Sequence, residues 1–168
     1  MNNKSKILVL SDINKSTDKT LQSAINLAEI LNGSIELFCV KKPTDIINQE
    51  SQLSAIRNIN QEFITASNKV KSILSEVKND SNIKINSKIS IGNLKDEISQ
   101  YIKKVNPEII VLGKKKSKFL NFSGDNIMSF ILKEFNGTVM VTSDKKMFEI
   151  TDNLNLGAIN SLEKSGKN

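Results

Sequence analysis

The chain has 168 residues, a net charge of +6, one cysteine and no histidine. The missing histidine excludes Ser-His-Asp and Cys-His nucleophile systems and HExxH zinc sites, and the single Cys39 excludes an intrachain disulfide. The length suits one domain that buries roughly 68–70% of its unfolded-chain surface without covalent staples.

Ile7, Leu8, Val9 and Leu10 form a continuous apolar run, which predicts a strand buried on both faces. "SDINKSTD" follows as a loop, with Ser16, Thr17 and Asp18 as candidate helix caps. Leu21, Ala24, Ile25, Ala28 and Leu31 then fall on one helical face, and Asn32-Gly33 ends that helix with glycine as the expected left-handed residue. Ile35 to Val40 is a second strand, and the stretch from Lys41 to Asp45, with Pro43, breaks the pattern. Leu53, Ile56, Asn60, Phe63, Ser67, Val70, Leu74 and Val77 predict one face of a long helix. Ile83, Ile85, Ser87, Ile89 and Ile91 alternate with polar residues, as a half-exposed edge strand does. Gly92-Asn93 turns the chain into a third helix carrying Leu94, Ile98, Ile102 and Val105, stopped at Asn106-Pro107. Ile109 to Leu112 is a second wholly apolar strand. Ile127, Phe130, Ile131 and Phe135 mark a fourth helix, ended by Asn136-Gly137, and Thr138 to Thr142 is a fifth strand.

Strands alternating with helices imply a parallel sheet covered on both faces. The apolar runs place the first and fourth strands centrally and the third at an edge. The expectation is a doubly wound five-stranded α/β sheet of order 3-2-1-4-5. In such a sheet the ligand crevice lies at the carboxyl ends of the central strands, where the winding reverses. Those ends are Leu10-Ser11-Asp12 and Leu112-Gly113. The expected domain spans residues 1–144. Residues 145–168 form a tail whose "MFEITDNLNLGAI" is apolar enough to pack and whose "SLEKSGKN" reads as frayed.

"KILVLSD", "GSIELFCVKKP" and above all "IGNLKDEISQYIKKVNPEIIVLG" resemble the universal stress protein family, and the likeness runs over roughly residues 4–144. The resemblance implies the same doubly wound fold, a homodimer joined through strand 138–142, and in some members binding of ATP or another adenine nucleotide. Carried over by position, Asp12 and Val40 would face adenosine, while Leu112 and Gly113 would open the phosphate loop. The ATP-binding pattern in that family is G-x2-G-x9-G-[ST]. Here Gly113 keeps the first glycine, and Lys116 stands at the second. Nine further residues lead to Asn126-Ile127. Aligned on the helix instead, Asp125-Asn126 takes the Gly-Ser place, with Gly124 one residue ahead.

Glycine in such a loop permits positive φ and lets phosphate reach backbone N–H groups. A left-handed Lys116 costs roughly 1–2 kcal/mol. Asp125 at about 6 Å from a phosphate costs roughly 2–3 kcal/mol per like-charge pair at an effective dielectric of ~20. Lys114, Lys115, Lys116 and Lys118 act in the opposite sense, as point charges able to clamp an anion. The competing reading makes Asp125 or Asn126 a helix N-cap and the lysines a solvated loop. Asp12 reads as a ribose or adenine ligand or as a partner of local N–H groups. Cys39 reads as a small buried hydrophobe rather than a redox group, and Gly92 as a turn residue rather than a sugar contact.

Two functions follow as expectations. One is a homodimeric regulatory sensor with weakened or altered adenine-nucleotide binding at Leu10, Asp12, Val40, Leu112, Gly113, Lys115, Lys116, Gly124, Asp125 and Asn126. The other is an interaction protein of the same fold that works through dimer and partner contacts. No catalytic residue and no metal site is assigned. A cytoplasmic location is expected, since no segment resembles a signal peptide or a membrane span. With no tryptophan and one tyrosine, no nucleic-acid stacking platform is expected.

Overall fold

The computed structural model describes residues 5–11, 17–42, 52–78, 82–115, 118–119, 127–142 and 147–150. In chain order these hold β1 (Lys6–Ser11), α1 (Thr17–Ile30), β2 (Ser34–Lys41), α2 (Gln52–Lys78), β3 (Ile85–Ile91), α3 (Leu94–Val105), β4 (Ile109–Lys115), β5 (Lys118–Phe119), α4 (Ile127–Glu134), β6 (Thr138–Thr142) and β7 (Met147–Ile150). Five parallel strands run in the spatial order β3-β2-β1-β4-β6. This is the expected 3-2-1-4-5 winding.

Strand alternation sorts the core into two layers. Leu8, Leu10, Phe38, Val40, Ile110, Leu112, Val139 and Val141 lie under α3 and α4, packed with Leu94, Ile98, Ile127 and Ile131. Ile7, Val9, Ile35, Leu37, Cys39 and Val111 lie on the opposite face with Leu21, Ala24, Ile25, Ala66 and Val70. All of Ile7 to Leu10 is buried, and each such side chain is worth roughly 1.5–3 kcal/mol relative to exposure. Cys39 is one more buried apolar group of this layer.

Three details depart from the pattern reading. At the end of α1 the left-handed residue is Asn32, with φ 49°. Gly33 is needed for a different reason: a Cβ there would come within 2.7 Å of Ser5 O. Its N–H closes the helix on Ala28 O at 2.7 Å, the wide C-terminal bond of a Schellman end. In α2 the buried positions are Ala55, Ala66, Val70 and Ile73, whereas Leu53, Ile56 and Phe63 are exposed by 67%, 55% and 45%. The reason is length. Twenty-seven residues make about 40 Å of helix, longer than the eight-residue β2 at about 26 Å. The amino-terminal half therefore has less sheet to cover.

The third departure is at the far side of the sheet. Thr138–Thr142 is not its outer edge. β7 adds antiparallel to it, with Val139 opposite Ile150, Met140 opposite Glu149, Val141 opposite Phe148 and Thr142 opposite Met147. An apolar edge strand is a pairing liability, and the beginning of the tail removes it. Residues 151–168 lie outside the described ones. Among the described residues no helix is long and apolar enough to cross a membrane.

Candidate functional site

The carboxyl ends of β1 and β4 meet where the winding reverses. Leu10 lies opposite Leu112 on β4 and opposite Phe38 on β2. Val40 follows on β2, and Gly113 is paired with Thr142 of β6. The structure thus gathers Leu10, Val40, Leu112 and Gly113 at one end of the sheet. The first three are buried in the α3–α4 layer, so their side chains form the floor of this end rather than an open wall. Asp12, Lys116, Gly124, Asp125 and Asn126 lie outside the described residues.

Beside this floor sits a buried hydroxyl set that sequence reasoning missed in part. Ser11 Oγ and Thr17 Oγ1 are 2.7 Å apart. They tie the end of β1 to the first residue of α1. One turn further, Thr142 Oγ1 lies 3.1 Å from Thr20 Oγ1 and 3.4 Å from Leu112 O. All four hydroxyl residues are buried. A buried hydroxyl is costly unless paired, so these contacts fix where α1 starts over the strand ends. The available signal was spacing: Thr17 and Thr20 precede Leu21 and Ala24 on the apolar face of α1, and Thr142 ends an apolar strand.

This set explains Gly113. A Cβ at position 113 would run into Thr20 Oγ1, and Gly113 does not take a positive φ. The glycine meets the close approach of α1 to β4, independently of any phosphate.

Beyond Gly113 the described residues continue the strand for two positions. β4 continues to Lys115 and returns as β5, with Lys114 opposite Phe119 and Lys115 opposite Lys118. Only Lys116 and Ser117 connect the two strands. The two residues that follow Gly113 are thus part of an antiparallel ladder.

The same end of the sheet carries the β3–α3 turn. Gly92 N–H donates to Lys41 O at 3.0 Å, and Asn93 caps α3 by accepting from Lys95 N at 3.0 Å and Asp96 N at 3.4 Å. Gly92 is therefore a turn residue extending the β2–β3 ladder. Ser90 Oγ donates to Glu97 Oε2. On the α3 side of the sheet, Tyr101 stacks on Phe38 with ring centroids 4.0 Å apart. Its hydroxyl donates to Glu36 Oε2 at 3.2 Å, and Asn86 Nδ2 donates to Glu36 Oε1 at 2.6 Å. Burial, then the Glu36 charge and hydrogen bond, push the Tyr101 hydroxyl up to about 12. Among the described residues no group of three or more His, Cys, Asp or Glu side chains is placed to hold a metal ion.

A doubly wound parallel sheet whose winding reverses between its two central strands defines a class of α/β folds. Within that class the sequence matches the universal stress protein family over residues 4–142, and the chain belongs to that family. Solved structures repeat the fold. UspA from Lactobacillus plantarum is 19% identical with a TM-score of 0.68, over 83% of this chain and 99% of its own. A universal stress protein from Archaeoglobus fulgidus in complex with dAMP is 11% identical with a TM-score of 0.56, over 84% of this chain and 98% of its own. A universal stress protein in complex with cAMP is 13% identical with a TM-score of 0.52, over 83% of this chain and 97% of its own. No curated protein sequence matches the chain.

Proposed function

We propose that this universal stress protein is a regulatory sensor of adenine nucleotides, with no catalysis of its own, whose triphosphate binding is weakened. The observation that carries this reading is the β4–β5 hairpin. It begins where the family pattern has a glycine loop, and the sequence there carries Lys114, Lys115 and Lys116. Lysine is a point charge on a flexible stem and does not replace the fixed geometry of a backbone nest. A nucleotide with one phosphate loses less from this exchange than one with three. Relatives solved with dAMP and with cAMP support that preference.

Titration calorimetry with ATP, AMP, dAMP and cAMP tests the reading. The expected ATP dissociation constant is ~100 μM or weaker, with at least one monophosphate binding as well as ATP or better. Sub-micromolar ATP affinity refutes it. A second reading, an interaction protein that binds no nucleotide, is favoured by the packing role of Gly113 against Thr20, which accounts for the glycine without a ligand. A chain purified without ultraviolet-absorbing nucleotide and silent in all four titrations establishes this second reading. In either case the protein acts as a homodimer through the β6 side of the sheet and presents its surface to a protein partner.

A further inference from the structure

At the opposite side of the sheet from β7, no strand lies beyond β3 among the described residues. β3 is seven residues long, enough to pair with another chain along its whole length.

The ladder to β2 fixes which groups of β3 face outward. Ile35 N–H donates to Lys84 O, and Gly92 N–H donates to Lys41 O. The N–H and C=O of one strand residue point to the same side, and those of the next residue point to the other. Lys84, Asn86, Lys88, Ser90 and Gly92 therefore bond toward β2. Ile85, Ser87, Ile89 and Ile91 turn their N–H and C=O outward. Side chains alternate between the two faces. Ile85 and Ile89 belong to the layer under α1 and α2. Asn86, Lys88 and Ser90 lie on the α3 face. There Asn86 bonds Glu36, Lys88 Nζ lies 5.4 Å from the centroid of the Tyr101 ring, and Ser90 bonds Glu97.

A strand added here meets half-buried Ile89 and Ile91 on one face and exposed Lys84 and Lys88 on the other. Lys88 stands on the edge strand itself. Glu36 stands on β2, one strand spacing of about 4.8 Å further in, and its two oxygens accept from Asn86 and Tyr101. The strand charge nearest to an incoming chain is therefore positive, and an opposed carboxylate is the favourable partner.

We propose that the outer edge of β3 is a docking site for an extended acidic segment of a partner protein. The segment adds to the sheet as a strand with alternating apolar and acidic side chains. Its apolar side chains pack beside Ile89 and Ile91, and its carboxylates face Lys84 and Lys88. This proposal rests on the reading above that the surface is presented to a protein partner, and it is independent of nucleotide binding.

Fluorescence anisotropy with a labelled peptide of alternating glutamate and valine tests it. The controls are the same peptide with lysine for glutamate and one N-methylated at alternate residues. The glutamate peptide should bind at least tenfold more tightly than either control. Lys84→Glu with Lys88→Glu should invert the preference between the glutamate and lysine peptides. Ser87→Pro removes an outward N–H and no bond to β2, so the chain should stay folded and lose the peptide. Hydrogen exchange separates the outcomes. In the free chain the amides of Ser87, Ile89 and Ile91 should exchange fast and those of Asn86, Lys88 and Ser90 slowly. The glutamate peptide should slow the first set. Outward amides already protected in the free chain overturn the open edge, and protection that grows with protein concentration makes the occupant a second copy and overturns the acidic partner. Equal binding of glutamate and lysine peptides also overturns the acidic partner. Outward amides that the peptide leaves fast at about 1 mM overturn the docking site, and the partner reading then stands or falls on other surfaces.

Discussion

Replacing Gly113 by alanine separates packing from ligand binding at the strand end. The new methyl group meets Thr20 Oγ1 inside hard-sphere contact, with Thr20 Cβ at 3.5 Å and Cγ2 at 3.6 Å just behind. Thr20 cannot swing away freely, because it is buried and hydrogen-bonded to Thr142. Overpacking of this kind costs typically 1–3 kcal/mol. The lower chain entropy of alanine in the unfolded state returns roughly 0.4–1 kcal/mol. The net expectation for Gly113→Ala is a loss of about 1–2 kcal/mol. Thr20→Ala alone removes the hydroxyl and its bond to Thr142, for about 1 kcal/mol. In the double variant the methyl group enters the space the hydroxyl leaves, so the costs should fall short of their sum by about 1 kcal/mol or more. Urea denaturation of the four proteins, without nucleotide, measures the cycle. Strict additivity, or a Gly113→Ala protein within 0.5 kcal/mol of the parent, a margin expected of an unconstrained surface site, refutes the packing argument and returns Gly113 to the phosphate loop.

Three further outcomes are expected. Tyr101 has its hydroxyl raised from 10.0 to about 12, so the proton is held more tightly when folded. Its contribution is complete below pH 10 and disappears as pH rises towards 12; a Tyr101→Phe protein should lack that component of the decline, and identical profiles would disprove it. Lys116→Gly with Asp125→Gly should raise ATP affinity about tenfold, or ~1.4 kcal/mol, and an unchanged titration would show that the block lies elsewhere. Asn93→Ala removes the cap that accepts from Lys95 N and Asp96 N and should cost about 1 kcal/mol in thermal or urea unfolding, while a neutral result would mean water serves those amides equally well.

The sheet order was legible because it rests on which strands are apolar throughout, a property of composition. Ile7–Leu10 and Ile109–Leu112 have to be central, and Ile85–Ile91, with exposed Asn86, Ser87 and Lys88, has to be at an edge. The phase of α2 was not legible in its first half. There the large apolar residues Leu53, Ile56 and Phe63 are exposed while Ala55 is buried, since burial depends on what lies opposite and not on the helix alone. The floor of the candidate site was legible from topology, which fixes where strand ends converge. The Thr20–Gly113 approach was not, because it depends on the distance between two elements far apart in sequence. β7 escaped for a related reason. Four residues, three of them apolar, look like any packed tail until an open edge is there to receive them.

The central pairing has a consequence for how the chain reaches this state. Ile7 of β1 lies beside Ile109 of β4, and Leu10 beside Leu112. The first strand made is therefore completed by one that leaves the ribosome about a hundred residues later. At roughly 5–20 residues per second, β1 waits several seconds for its second neighbour. During that time β1, β2 and α1 can associate, but the apolar run of β1 has one unpaired side. Loop closure over such a span is slow compared with local helix formation. Insertion of β4 beside β1, which also brings together the strand ends of the candidate site, is therefore expected late in folding.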